Sequence, residues 1–252
     1  MLQRLRNARL FWPTLAMLAA LAVLISLGTW QLQRKRWKEG LQAQIAERVH
    51  ADPVPLVAVL ERVGGRGEAA PEYMHVSVTG RFRHDKERYL YAPTLAGLGW
   101  HVYTPLELAG GTVVWVNRGF VPDVRKAPAT RAKGQVADTV EVRGVLRVPP
   151  ATPGLFAAQN DADRNIWYWP DLAAMTASAY PNAPPGSLRA VLPLVVEADS
   201  DPAPPGGLPR GGVTRLALPN RHLEYALTWY GLAATLVGVY LAFGISRLRA
   251  TG

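Results

Sequence analysis

The sequence predicts an α+β membrane protein in which two transmembrane helices flank one antiparallel β-rich domain. Two uncharged apolar stretches lie near the two ends of the 252-residue chain, each long enough to cross a bilayer core, which takes about 20 helical residues. Between them run segments of alternating β-branched and aromatic residues, the pattern of half-buried strands. A single short helix is expected among those strands, which places the domain in the α+β class.

The first apolar stretch, after a basic tail over residues 1–9, is LFWPTLAMLAALAVLISLGTWQL over residues 10–32, with Trp12 and Trp30 near its two ends where indoles favour the headgroup level. Ser26 and Gly28 loosely imitate a signal-peptide cleavage site, but the apolar run is too long for a signal h-region and an uncleaved anchor is expected. The second stretch, YALTWYGLAATLVGVYLAFGI over residues 225–245, is followed by Arg247 and Arg249 in a tail over residues 246–252. Its small residues Gly231, Ala233, Ala234 and Gly238 suit close packing against another helix. A buried helix of a soluble core is the alternative, and length together with the Trp/Tyr-rich start argues against it. Two spans put both tails on one side and residues 33–224 on the other. Counting flanking Lys and Arg gives the opposite orientation to the one adopted below, but long loops translocate largely regardless of charge.

A net charge of +9 is compatible with nucleic acid, an anionic membrane or an acidic partner. Many of the basic residues flank the spans, among them Arg4, Arg6, Arg9, Arg34, Lys35, Arg36 and Lys38, where they meet lipid phosphates. No nucleic-acid-binding motif accompanies them, so membrane lipid and not nucleic acid is the expected partner. With no cysteine, disulfides and thiolate metal ligands are excluded. No acidic-poor, Ser/Arg-rich transit segment precedes the first span, which favours a bacterial setting.

In the middle domain a polar helix is expected from Trp37 to about Arg48, then a break at Pro53, Pro55 and GGRGEAAPE. Strands are expected over residues 74–82, 88–93, 100–108, 112–122 and 139–148, with Ala109-Gly110-Gly111 as a hairpin turn. Asp171 caps a short helix to about Ala179, and LPLVVEA and VTRLAL supply further strands around the irregular loop of residues 201–212. Barrel and open sheet both remain possible.

No GxSxG, Walker, GxGxxG or HExxH motif occurs, so an enzyme is not expected. The glycine run at residues 64–67 reads as a plain loop. His75, His84 and His101 read as structural and His50 as a helix end or turn. His222 stands apart, three residues before a span, where ionisable groups are costly enough to be functional candidates. It shares a helix face with Tyr225 and Trp229, at spacings of three and seven. Trp30 ends the first span, so it and His222 lie at similar depth. A neutral imidazole is a standard axial ligand to haem iron, and an interfacial histidine beside an aromatic belt is the other reading.

LGTWQLQRKRWK (residues 27–38) and LPNRHLEYALTWYGLA (residues 218–233) resemble the two signature regions of the surfeit locus protein 1 family, and VTGRF, YLYAP, GWHVYTPLEL, VVWVNRGFVP, GVLRVP and PLVVEA follow in the expected order between them. Gly119-Phe120 departs from the family's frequent Gly-Trp. The resemblance implies a non-enzymatic chaperone for assembly of haem-copper cytochrome oxidase, with two spans in the bacterial cell inner membrane and the central domain extracytoplasmic, in the periplasm. It implies that haem a is transiently bound and presented to oxidase subunit I, with the haem a synthesis machinery as a further partner. His222 would be the axial ligand, Trp30, Tyr225 and Trp229 would pack on the porphyrin, and Arg34, Arg36 or Arg221 could neutralise propionates. The alternative is a membrane-anchored scaffold that stabilises nascent subunit I without haem.

Overall fold

In the computed structural model, residues 10–66, 72–94, 97–182, 190–213 and 220–250 are described. They fall into two compact units, one over residues 45–215 and the other formed by the N-terminal helix as far as Gln44 with the C-terminal helix.

The N-terminal helix α1 runs unbroken over Phe11–His50, 40 residues or about 60 Å at 1.5 Å per residue. The expected polar helix after the first span is therefore its continuation, since neither Gly nor Pro interrupts the chain between Trp30 and Gly40. The C-terminal helix α4 covers His222–Ala250. Both are long and apolar enough to cross a membrane, and little of either apolar window is buried.

The middle unit opens with β1 (Val54–Pro55) and helix α2 (Leu56–Arg66). This helix lies where a break and a plain loop are expected. Pro55 stops a strand but suits the position before a first helical turn, and Leu56 and Val59, three apart on one face, are buried in the barrel core. The backbone stays helical through Gly64 to Arg66, and Gly67 lies outside the described residues. Five strands follow close to their expected bounds: β2 (His75–Phe82), β3 (Arg88–Tyr91), β4 (Gly99–Leu108), β5 (Thr112–Pro122) and β6 (Thr139–Arg147). Helix α3 (Leu172–Ala179) starts at Asp171, whose carboxylate accepts from the Ala174 amide at 3.0 Å, the N-cap the sequence predicts. Strand β7 spans Ala190–Ala198. The strand expected over VTRLAL falls largely on residues outside the described set.

The sheet order is β1-β2-β6-β7-β5-β4-β3, and β2 pairs with β4 as well. Five strands, β2-β6-β7-β5-β4, therefore close on themselves. The expectation of a wholly antiparallel sheet is corrected: β5 and β7 run parallel, as do β1 and β2. A ring with an odd number of strands cannot alternate direction all the way round, so one parallel pair is obligatory, and β5–β7 is that pair. Closure turns on Gly80, which faces Val140 of β6 and Leu108 of β4 in the two ladders. A Cβ there would stand 2.6 Å from the Glu107 carbonyl oxygen, so only glycine lets the strands approach this closely.

Inside the barrel Val76, Val78, Leu106, Val114, Val116, Val142, Leu146, Leu194 and Val196 form one core with α2. On the outer side of β5, Trp115 meets Trp167, Met175 and Val195 under α3, and its indole N–H donates to the Thr176 hydroxyl at 3.0 Å. With both faces covered, β5 is buried from Val113 to Gly119, which is why VVWV reads as a continuous apolar run.

A buried charge cluster ties the long connections to this barrel. Glu87, between a 3-10 turn (His84–Lys86) and β3, is 3% exposed. It accepts a forked pair of bonds from Arg131 (3.1 and 2.5 Å), one from Arg118 (3.1 Å), one from the Tyr89 hydroxyl (3.1 Å) and one from Gln135 (3.3 Å). Arg131 also donates to the carbonyls of Arg125 (3.2 Å) and Lys126 (3.1 Å), and Arg118 to that of Gly134. Burial alone would raise the Glu87 carboxyl, but His84, Arg131 and Arg118 outweigh it and hold it down at about 2, against an ordinary 4.5. For Arg118, burial together with the neighbouring Arg131 charge outweighs the pull of Glu87 and lowers the guanidinium to about 10.

Because the folded-state value of Glu87 is depressed, its contribution to stability is complete above about pH 4.5 and is lost as pH falls towards about 2. Glu87→Gln strands two buried guanidinium charges and is expected to cost on the order of 3–5 kcal/mol at neutral pH. Urea unfolding of the full chain in detergent, followed by tryptophan fluorescence, should show that loss, together with a flatter stability profile over the acid window.

Candidate functional site at the head of the helix pair

Among the less exposed positions along α1 are Thr14, Met17, Leu21, Leu24, Gly28, Gln31, Lys35 and Lys38, at alternating steps of three and four. That is the 3.5-residue seam of a left-handed helix pair. On α4 the matching seam holds His222, Ala226, Trp229, Ala233, Val237 and Tyr240, with Ala226 and Ala233 buried. Outside the seam, Leu15, Leu18, Val23, Leu232, Val239 and Leu241 are exposed, as lipid-facing residues would be.

Polar contacts between the two helices include Thr14 with the Tyr240 hydroxyl, Thr29 with the Tyr230 hydroxyl at 3.1 Å, and Gln31 with His222 at 2.7 Å. In lipid such bonds average about 0.6 kcal/mol each, and close packing adds to them. Close packing comes from Gly28, where a Cβ would stand 2.8 Å from the Tyr230 ring. Of the small residues expected to serve this purpose on the second span, only Ala233 is buried, while Gly231, Ala234 and Gly238 are exposed.

At the His222 end the ring is half-buried, and its Nδ1 lies 2.7 Å from the Gln31 side-chain carbonyl oxygen. A carbonyl oxygen only accepts, so a Gln31 Oε1 facing the ring favours the tautomer with its proton on Nδ1, and Nε2 is the nitrogen turned away from Gln31. Trp229 lies on the same seam and is half-buried, while Trp30 and Tyr225 flank it and are 53% and 54% exposed. The structure thus joins His222 to Gln31, the residue next to Trp30. His222 is the donor here that could hold a haem iron through its ring nitrogen, and Trp30, Tyr225 and Trp229 are the aromatic residues on the two helices that could pack on the macrocycle. Of the cations suggested for propionates, Arg34 stacks on Trp37 at 4.0 Å and Arg221 pairs with Glu224 at 2.9 Å. Gln31 is a site residue that reading motif by motif misses, and its signal was a polar side chain at a seam position of an apolar helix.

Three of the other histidines are held by hydrogen bonds within the fold. His75 bridges the Ala51 carbonyl (2.7 Å) and Asp199 (2.8 Å), His84 meets the Val136 carbonyl (2.8 Å) and Arg118 (3.1 Å), and His50 ends α1 on the Ala46 carbonyl (2.7 Å). No group of three or more His, Cys, Asp or Glu side chains suited to a metal ion occurs among the described residues.

These features define a class: a closed five-strand barrel whose chain begins and ends in two paired helices of membrane-spanning length. The model of the SURF1 family matches residues 18–234, and the chain belongs to that family. It is similar to a SURF1-like protein of Monosiga brevicollis, 34% identical over 248 residues that cover 94% of this chain and 88% of the relative. Surfeit locus protein 1 of Mus musculus is 38% identical over 229 residues (84% and 69%), and that of Homo sapiens 37% over 225 residues (82% and 69%).

Gly28→Leu is expected to drive the helices apart. With no native cysteine, Thr14→Cys and Tyr240→Cys can be bridged by a short bismaleimide, and the cross-linking yield should fall severalfold when Gly28→Leu is added.

Proposed function

We propose that this protein is a non-enzymatic assembly factor for haem-copper cytochrome oxidase that takes up haem a at the head of its helix pair and presents it to oxidase subunit I. The observation that carries the reading is His222, whose Nδ1 meets Gln31 at 2.7 Å across the helix pair, with Tyr225 and Trp229 three and seven positions further along its own helix and Trp30 next to Gln31. Membership of the SURF1 family supports the oxidase assignment, through the role that the family resemblance implies. In this reading the two helices cross a bacterial inner membrane, both tails are cytoplasmic, and the barrel stands in the periplasm, where it contacts subunit I. Haem a is cargo: His222 supplies a neutral nitrogen ligand, and the aromatic side chains supply an apolar wall that shields the macrocycle from water. Arg36 at the same end of α1 offers a cation for a propionate.

The protein purified in mild detergent from cells that make haem a is expected to carry it in a pyridine haemochrome assay, and His222→Ala at matched expression should lose most of it. A colourless wild-type protein that still co-purifies with subunit I would replace this reading with that of a scaffold.

A further inference from the structure

We infer that Gln31 is the positioning residue of the site: it sets the tautomer of His222, and its neutral amide keeps the ligand weak enough for the cargo to be passed on. The assignment rests on the haem reading proposed above and deepens it. Gln31 and His222 are 191 positions apart in the chain, and their side chains meet at 2.7 Å. Each sits on the seam of its own helix, so the helix pairing itself brings the bond about.

The chemistry follows from the acceptor. Free imidazole divides its proton between the two ring nitrogens, and a partner on one of them decides which is bare. A Gln31 carbonyl oxygen accepting from Nδ1–H favours the tautomer in which Nε2 is the bare nitrogen. Ligating histidines in resident metal sites often donate to a carboxylate, which raises the basicity of the ligating nitrogen and tightens the site. A carboxamide polarises the N–H bond less, because it bears no net charge. When the ligand is released, Nε2 keeps its electron pair and Nδ1 keeps its proton on Gln31, so uptake and release are ligand exchange with no proton or electron moved. Trp30 and Tyr225 are more than half exposed, so packing on them would not enclose the cargo.

The test uses the full chain in lipid nanodiscs, labelled with 15N-histidine, without haem. Five histidines are present, and the His222 signals are assigned by their absence from His222→Asn. Long-range 1H–15N spectra are expected to show His222 with Nδ1 protonated and Nε2 bare. Gln31→Met should shift His222 towards the Nε2–H form, and Gln31→Glu should keep the wild-type form. Haem a added from detergent solution should bind Gln31→Met at least about 10-fold more weakly than wild type, in line with the loss of an outer partner. Gln31→Glu should release it more slowly than wild type. The yield of the bismaleimide cross-link between Thr14→Cys and Tyr240→Cys, made as above in each variant, should stay unchanged and so exclude loss of helix pairing. An unaltered His222 tautomer in Gln31→Met overturns the assignment, as does release from Gln31→Glu at the wild-type rate. Wild-type protein with the stated tautomer but no haem uptake overturns instead the haem reading on which the role of Gln31 rests.

Discussion

Closing five strands into a ring imposes a parity condition from which much of the middle unit follows. Four antiparallel pairs and one parallel pair are the arrangement nearest to full alternation, and β7 meets the condition by lying between β6, its antiparallel neighbour, and β5, its parallel one. A parallel neighbour cannot be reached by a tight hairpin. The chain between β5 and β7 therefore makes an excursion that includes β6 and α3, and α3 covers the outer face of β5 through Met175 and Thr176. The ring also has to be sealed at β2 and β4, where Gly80 lets one strand hydrogen-bond on both sides at once.

The excursions that closure requires leave long connections, and Glu87 is the point at which they are gathered. Arg118 comes from the end of β5, Arg131 from the turn at Pro128–Gly134, and Tyr89 from β3. Charges taken out of water at this cost are no cheap source of stability. What they contribute is geometry: a forked guanidinium–carboxylate pair has one good orientation, so loops with little apolar surface of their own are held in one place.

The helix pair, long and apolar enough to cross a membrane, raises a different question of what would hold it together in a bilayer. Lipid gives no hydrophobic reward for bringing two apolar helices together, so the contacts that matter are the close approach at Gly28 and the polar bonds from Thr14, Thr29 and Gln31. Those same bonds orient the candidate site, because the last of them ends on His222. Structural and functional demands therefore fall on one seam, and a change that loosens the pairing also releases the imidazole.

By itself the sequence determined the local elements, since hydrophobic period and turn chemistry are properties of neighbouring residues. The two apolar helices, strands β2 to β7 within a residue or two, the Asp171 cap and the Gly110-Gly111 turn were legible for that reason. Helix α2 was hidden because prolines and glycines dominate its neighbourhood, while the apolar contacts that make it helical come from the barrel. Only the tertiary structure decided the rest. Barrel closure and the β5–β7 parallel pair depend on which distant strands meet, and Glu87, Arg118 and Arg131 lie too far apart in sequence for any local pattern to join them. Gln31 and His222 share one hydrogen bond across nearly the whole chain, and only the pairing of the first helix with the last brings them within its 2.7 Å reach.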